Sequence, residues 1–387
     1  MPASRLQIFA CFAESPWAIS ELVTMGGVPS RIEGARPPVA PRKASVAAEE
    51  PSAYLAEARN LVLAHMKAAL PRESRLQPFY NLLLEYPLRA AKSMRPALCI
   101  AVCRAFGGEL EDVAPTAASL EMFHNAFLVH DDIEDDSYLR RGRPTLHRKF
   151  GVPIAVNVGD ALLAIGLLPL AGNFSSLASD VARQVLDVTV RMARETAEGQ
   201  AMELSWIRWG GCTLTDSEYL RLALKKTCWY SFLAPVLTGA AIAGAPAAAV
   251  RALQRFAGWL GIAFQIHDDI LNLEGTVTDY GKEIGGDLIE GKYTLILMHA
   301  LRSATPAERA AGLRVLRRSR SLRSRQDVEF LQELINRYHS LTYARYMAEK
   351  TAGRAREALA RVLERVRPTR HTRFLSAVND YCVTRAR

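Results

Sequence analysis

From about Ser52 to the C-terminus, apolar residues recur at intervals of three and four, and no sustained period-two alternation interrupts them. That spacing lays an apolar stripe along successive helices and leaves no run suited to a half-buried strand. The chain is therefore expected to be all-α. Breakers part the helices at Pro71, Gly107-Gly108, Gly142-Arg143-Pro144, Gly210-Gly211, Gly244-Ala245-Pro246 and the glycines between 281 and 291. Further connections are expected around 304–306 and 319–324, with two closing helices after them. Residues 1–45, rich in Pro, Gly, Ala and Arg, read as a flexible leader ahead of one domain over 46–387.

With 387 residues and 49% hydrophobic content, the chain can bury a large core. Its formal charge of +9 raises the question of nucleic acid, but aromatic interleaving and a basic recognition helix are missing, so no nucleic-acid partner is expected. Part of the excess falls in Arg314-Val315-Leu316-Arg317-Arg318-Ser319-Arg320, which reads as a solvated connection. The six cysteines show neither CxxC spacing nor neighbouring histidines, so no zinc site or disulfide framework is expected and the setting reads as reducing and cytoplasmic. Apolar runs are broken by polar residues or glycine, so no transmembrane segment is expected either.

Two acidic clusters of similar shape, Asp131-Asp132-Ile133-Glu134-Asp135 and Asp268-Asp269-Ile270-Leu271-Asn272, stand far apart in the chain, each ending an apolar helical run. One such cluster is ordinarily a solvated acidic face. Here both continue apolar stretches, Ala126–Val129 and Leu260–Phe264, and packing carboxylates against apolar walls is costly unless cations compensate them. Residues at i and i+4 project one turn apart on the same side, offering hard oxygen donors of the kind Mg2+ shares with phosphates. Two facing patches suggest a clamp for a diphosphate.

Basic groups surround these clusters in sequence: Lys92 and Arg95 upstream, Arg140 and Arg141 just after the first cluster, Lys226-Thr227 between the two, and Lys282 and Lys292 in a glycine-rich stretch after the second. Guanidinium groups grip phosphate oxygens in bidentate fashion. The order KxxRP, DDxxD followed by RRG, KT, FQxxDDxxN, then GKxxGxDxxxGKxT resembles the trans-isoprenyl diphosphate synthases, over roughly residues 52–387.

The resemblance implies an all-α helical bundle around a deep central cavity and a homodimer. It implies that Asp131, Asp132, Asp135, Asp268 and Asp269 hold about three Mg2+ ions on an allylic diphosphate, with Arg140, Lys226, Lys282 and Lys292 neutralising the same group. Lys92, Arg95, His124 and Arg141 would bind isopentenyl diphosphate without metal, and Thr227 and Gln265 would place oxygen dipoles near the allylic cation. Gln200 resembles a cavity-lining glutamine of the family; His130 and His267 read as structural.

Two departures stand out: Ala90-Ala91 replaces the usual Gly-Gly before Lys92, and Asn272 replaces the third aspartate of the second cluster. In the family, bulk four and five positions before the first aspartate stops chain growth. Those positions hold Phe127 and Ala126, and a C20 product is expected. Ala126 lies about 140° around the helix from Asp131, so its ranking comes from the resemblance alone. Competing readings are a class I terpene cyclase, disfavoured by Lys92, Arg95 and Arg141, and a non-catalytic regulatory subunit, disfavoured by the retention of both acidic clusters.

Overall fold

The computed structural model describes residues 49–72, 75–89, 93–210, 212–275 and 285–384. The leader expected over 1–45, Ala90-Ala91, Lys92 and Lys282 lie outside the described residues. Among the described residues the chain is helical throughout, apart from one two-residue antiparallel pair, Leu139–Arg140 with Arg143–Pro144.

The principal helices in chain order are α1 (Glu49–Ala69), α2 (Met94–Ala105), α3 (Leu110–Glu134), α4 (Val152–Ser176) and α5 (Ser179–Trp209). A short α6 (Asp216–Ala223) runs directly into a π-helical segment, Leu224–Leu233, and then α7 (Ala234–Ile242) and α8 (Ala247–Glu274). Behind them come α9 (Gly286–Glu290), α10 (Leu295–Ser303), α11 (Pro306–Leu316), α12 (Arg325–Arg337), α13 (Ser340–Leu363) and α14 (Arg370–Thr384). Capping boxes fix the starts of two connections: Thr305 with Glu308 opens α11, and Ser324 with Asp327 opens α12.

The bundle is built on two long pairings, α3 against α4 and α8 against α13. Its core is mainly aliphatic and alanine-rich, with Phe232 and Phe256 fully buried at the centre. Tyr54 of α1 stacks on Phe374 of α14 with ring centroids 4.2 Å apart, and its hydroxyl lies 2.8 Å from His371 Nδ1, joining the first described helix to the last. Cys99, Cys103, Cys212, Cys228 and Cys382 form no disulfide.

Helix α4 corrects the premise that every apolar run is broken short, though not the expectation drawn from it. By length and apolar composition it could cross a membrane, because its glycines and its single aspartate dilute the run without ending it. Its inner face nevertheless belongs to the bundle: Ser119 Oγ donates to the Gly166 carbonyl at 2.6 Å, and Asn173 Nδ2 donates to Thr116 Oγ1 at 2.9 Å. Its outer face exposes Ile154, Val156, Leu167, Leu168 and Phe174.

The π segment is held between α5 and α8 by two close approaches. A Cβ on Gly199 would lie 2.3 Å from the Lys226 backbone nitrogen, and one on Gly261 would lie 2.7 Å from Cys228 Sγ. Wider π turns are uncommon and tend to mark functional positions. This one carries Lys226 and Thr227.

Candidate active site

The last turns of α3 and of α8 open onto one cavity of about 510 Å³. Asp131 and Glu134 line it from the first helix, Gln265, Asp268 and Asp269 from the second, and Asp287 from α9. Lys226 and Thr227 of the π segment, Arg140, Lys292, Glu203 and Gln200 also line it, together with His130.

The first cluster divides its work. Asp132 is fully buried and turned away from the cavity: Tyr86 donates its hydroxyl to Oδ2 at 2.6 Å, and Arg140 Nε donates to Oδ1 at 2.9 Å. Asp135, capping α3, is buried beside Lys292, whose Nζ lies 2.6 Å from its Oδ2. Of the three aspartates expected to face the metal together, only Asp131 lines the cavity; adjacent helix positions differ by about 100°, which carries Asp132 to another face. Glu134, not anticipated as a lining group, takes a place at the mouth and accepts from Gln200 Nε2 at 2.6 Å.

Arg140 is delivered by the small hairpin, whose turn residues Arg141 and Gly142 have φ of 53° and 72°. Positive φ at both central positions matches the twist of a two-residue hairpin and strains the arginine. Arg89 braces the hairpin by donating to the Arg140 and Pro144 carbonyls, each at 2.8 Å. Burial works against the Arg140 charge, but Asp132 and Asp131 outweigh it and hold the guanidinium firmly protonated. Lys226 behaves alike: burial is overcome by Glu203 and by Asp131, whose Oδ1 lies 3.3 Å from Nζ.

On α8, Asp269 is buried in a chain of hydrogen bonds. Thr227 Oγ1 donates to Gln265 Oε1, Gln265 Nε2 donates to Asp269 Oδ1, and Tyr219 donates to Asp269 Oδ2, all at 2.7 Å. Burial and the neighbouring Asp287 push the Asp269 carboxyl well above the usual carboxylate range. Asn272 takes no part in the lining. Its Oδ1 accepts from the Asp287 backbone nitrogen at 3.2 Å and its carbonyl from Gly285 at 2.7 Å, so the residue that departs from the family pattern anchors the segment carrying Asp287.

Arg95, His124 and Arg141 gather apart from this cavity, none of them lining it. His124 stacks on Tyr230 with centroids 5.6 Å apart, and Arg95 lies 4.7 Å above the same ring while donating to Ser231 Oγ at 2.7 Å. Burial, reinforced by Arg95 and Arg141, holds the imidazole well below its ordinary pKa and hence neutral, while burial brings Arg141 down to about 10. Phe127 lines the acidic cavity beside Phe123, with ring centroids 6.2 Å apart. Ala126 faces the other way, buried with Val129, Ala155, Val158 and Leu162 between α3 and α4.

The Arg-rich connection is not merely solvated. Arg320 donates to the Asp135 carbonyl and reaches Glu290 Oε1 at 3.3 Å, and Arg323 donates to the Ile289 carbonyl. Arg320 pins α9 against the first acidic cluster, and Arg323 ties α9 to the carbonyls of Val315 and Leu316 at the end of α11. The acidic lining of the cavity offers only oxygen donors, crowded enough for Asp287 to raise Asp269, which suits a hard divalent cation. Among the described residues no three such groups already converge on one point, so a cation held there would complete its shell with water and substrate oxygens.

Residues 77–335 match the polyprenyl synthetase family model. The chain is 34% identical over 271 residues to the geranylgeranyl diphosphate synthase of Sulfolobus acidocaldarius, covering 70% of this chain and 80% of that one. It is 32% identical over 268 residues to the octaprenyl diphosphate synthase of Escherichia coli, covering 69% and 79%. The crystal structure of a polyprenyl synthase from Caulobacter crescentus complexed with calcium and isoprenyl diphosphate aligns with a TM-score of 0.75 at 28% identity, covering 90% of this chain and 100% of that one. With its helical cavity, its opposed carboxylates and this match over most of its length, the chain belongs to the polyprenyl synthetase family and is a trans-prenyltransferase.

Proposed function

We propose that the protein condenses isopentenyl diphosphate head-to-tail with an allylic diphosphate, in the presence of Mg2+, to give geranylgeranyl diphosphate. The observation that carries this reading is that Asp131 and Asp268, distant in sequence, line one cavity together with Lys226 and Lys292. Asp131, Glu134, Asp268 and Asp287 would hold the metal, in a complement of about three ions by family resemblance. When bound, Mg2+ neutralises the diphosphate as it departs.

Lys226, Lys292 and Arg140 present fixed cations to the oxygens on which charge develops, and preorganised charge of this kind is commonly the largest catalytic contribution. The allylic carbon–oxygen bond breaks with its electron pair passing to the diphosphate. The isopentenyl double bond attacks the allylic carbon, and a proton then leaves to the released diphosphate. Thr227 and Gln265, fixed by their chain to Asp269 and Tyr219, set oxygen dipoles on the wall near the cation. Arg95, His124 and Arg141 receive the isopentenyl diphosphate; Arg95 Nε and His124 Nδ1 are buried without a hydrogen-bond partner, which an anion would supply.

The relatives' named products differ at similar identity, so the C20 product is argued from the cavity itself: Phe127 and Phe123 narrow it where a growing chain would pass. The exposed apolar face of α4 supports a homodimer, since a contiguous patch of that kind is rarely left in water. Incubating the full chain with Mg2+, isopentenyl diphosphate and farnesyl diphosphate, then chromatographing the extract, tests the reading. A linear C20 diphosphate is expected, whereas a cyclic hydrocarbon or unchanged substrates overturn it.

A further inference from the structure

A second cavity, about 800 Å³, lies between the first half of α8 and the end of α13 and shares no lining residue with the catalytic one. Its walls carry Arg251 and Arg255 from α8 and Arg354, Arg361 and Arg365 from α13 and the turn after it, against a single carboxylate, Glu357. Beneath these arginines the lining is apolar, built around Phe106 and Trp259. Arg251, Arg255 and Trp259 follow at four-residue steps on one face of α8. Trp259 is 4% exposed, and the Arg354 guanidinium lies 4.8 Å above its ring.

Arginines rimming an apolar floor select an amphiphile with an anionic head. Guanidinium forks match phosphate oxygens, and the trough below them shelters a hydrocarbon tail. Neither the leader, itself net cationic, nor a second copy of a chain with formal charge +9 complements such a rim. We propose that this groove is a second binding site for an isoprenoid diphosphate, the class of molecule the catalytic cavity releases; the identity of that ligand rests on the function proposed above. The same helix carries both sites, the groove on its first half and Gln265, Asp268 and Asp269 on its second, with Arg251 and Asp268 about 25 Å apart along the axis at 1.5 Å per residue.

Equilibrium dialysis with labelled geranylgeranyl diphosphate tests the proposal on the full chain. An Asp131→Ala/Asp268→Ala variant, impaired at the catalytic cavity, is expected to keep one saturable site. Arg361→Gln/Arg365→Gln, two exposed positions outside the catalytic machinery, is expected to weaken that site at least ten-fold while leaving initial elongation rates within two-fold. Arg354→Gln serves as an independent check, with a thermal melt for each variant to confirm folding. No saturable site in the aspartate variant, or undiminished binding in both arginine variants, overturns the proposal. So does sedimentation with anionic phospholipid vesicles in place of binding to the soluble diphosphate. Wild-type chain that elongates but lacks the second site overturns the groove alone, whereas failure to elongate overturns the proposed function and this ligand with it.

Discussion

Gly199 of α5 approaches Lys226 so closely that a Cβ at position 199 would stand 2.3 Å from the Lys226 backbone nitrogen and 2.6 Å from its Cα. Both obstacles are backbone, so neither can rotate away. Lys226, which lines the cavity, is thus placed by the missing side chain of another helix. Gly199→Ala should cost about 1–3 kcal/mol of stability, the usual range for overpacking. It should also lower kcat per folded molecule by pushing the π segment outward. Thermal melts with steady-state kinetics check this, and unchanged values in both would contradict the close approach.

The three aspartates of the first cluster should separate by phenotype. Asp131→Ala removes a cavity carboxylate and should lower turnover by roughly 10²-fold or more with little change in melting temperature, because the loss is of charge acting on the reacting diphosphate. Asp132→Ala removes the main partner of the buried Arg140 guanidinium, leaving it Asp131 alone, and strands the Tyr86 hydroxyl. Breaking a buried pair in this way costs about 3–5 kcal/mol, so stability and turnover should fall together. Similar melts for the two variants would refute the division of roles.

Product length should respond to Phe127 and not in the same way to Ala126. Phe127→Ala opens the cavity toward Phe123 and should shift the chromatographic profile to longer chains. Ala126→Phe pushes a ring into the packing between α3 and α4 and should destabilise the protein by about 1–3 kcal/mol. A profile unaltered by Phe127→Ala removes Phe127 as the stop.

Acid sensitivity should arise in part from His299, stacked on Tyr343 with centroids 4.1 Å apart and 2.9 Å from Ser340 Oγ. Burial, with help from Arg302, lowers its pKa to about 4. Between the ordinary histidine value of about 6.5 and about 4, the unfolded chain binds the proton that the folded chain refuses. Stability should therefore fall as pH drops through that window and be unaffected by this group above it. Melting temperatures from pH 7 to 4 for wild type and His299→Phe check the sign; an equally steep decline in the variant excludes His299 as a source.

The sequence pattern made the helical architecture and both acidic clusters legible, since each follows from spacing along one helix. It could not show what each carboxylate faces. Lys292 meets Asp135 across 157 positions of chain, and no periodicity encodes such a meeting. Asp287 stood in plain view within the glycine-rich motif, yet its entry into the cavity depends on Asn272 holding its backbone. Asn272 stood out in the sequence only as a departure from the family pattern, and its anchoring of the Gly285–Asp287 backbone had no signature there. Arg320 looked like solvated charge because one of its partners, the Asp135 carbonyl, is a backbone atom with no residue signature. The length of the apolar run in helix α4 was under-read because glycines that interrupt hydropathy do not interrupt a helix. The 140° offset of Ala126, by contrast, was readable from the helical wheel alone.

On the proposed function, Asp131 and Asp268 jointly hold a divalent cation on a diphosphate. Electron paramagnetic resonance of Mn2+ titrated onto the full chain, with and without inorganic diphosphate, tests it most directly. Mn2+ binding that strengthens with diphosphate is expected in the wild type, with its loss in both Asp131→Ala and Asp268→Ala. Wild-type binding preserved in either variant would contradict it.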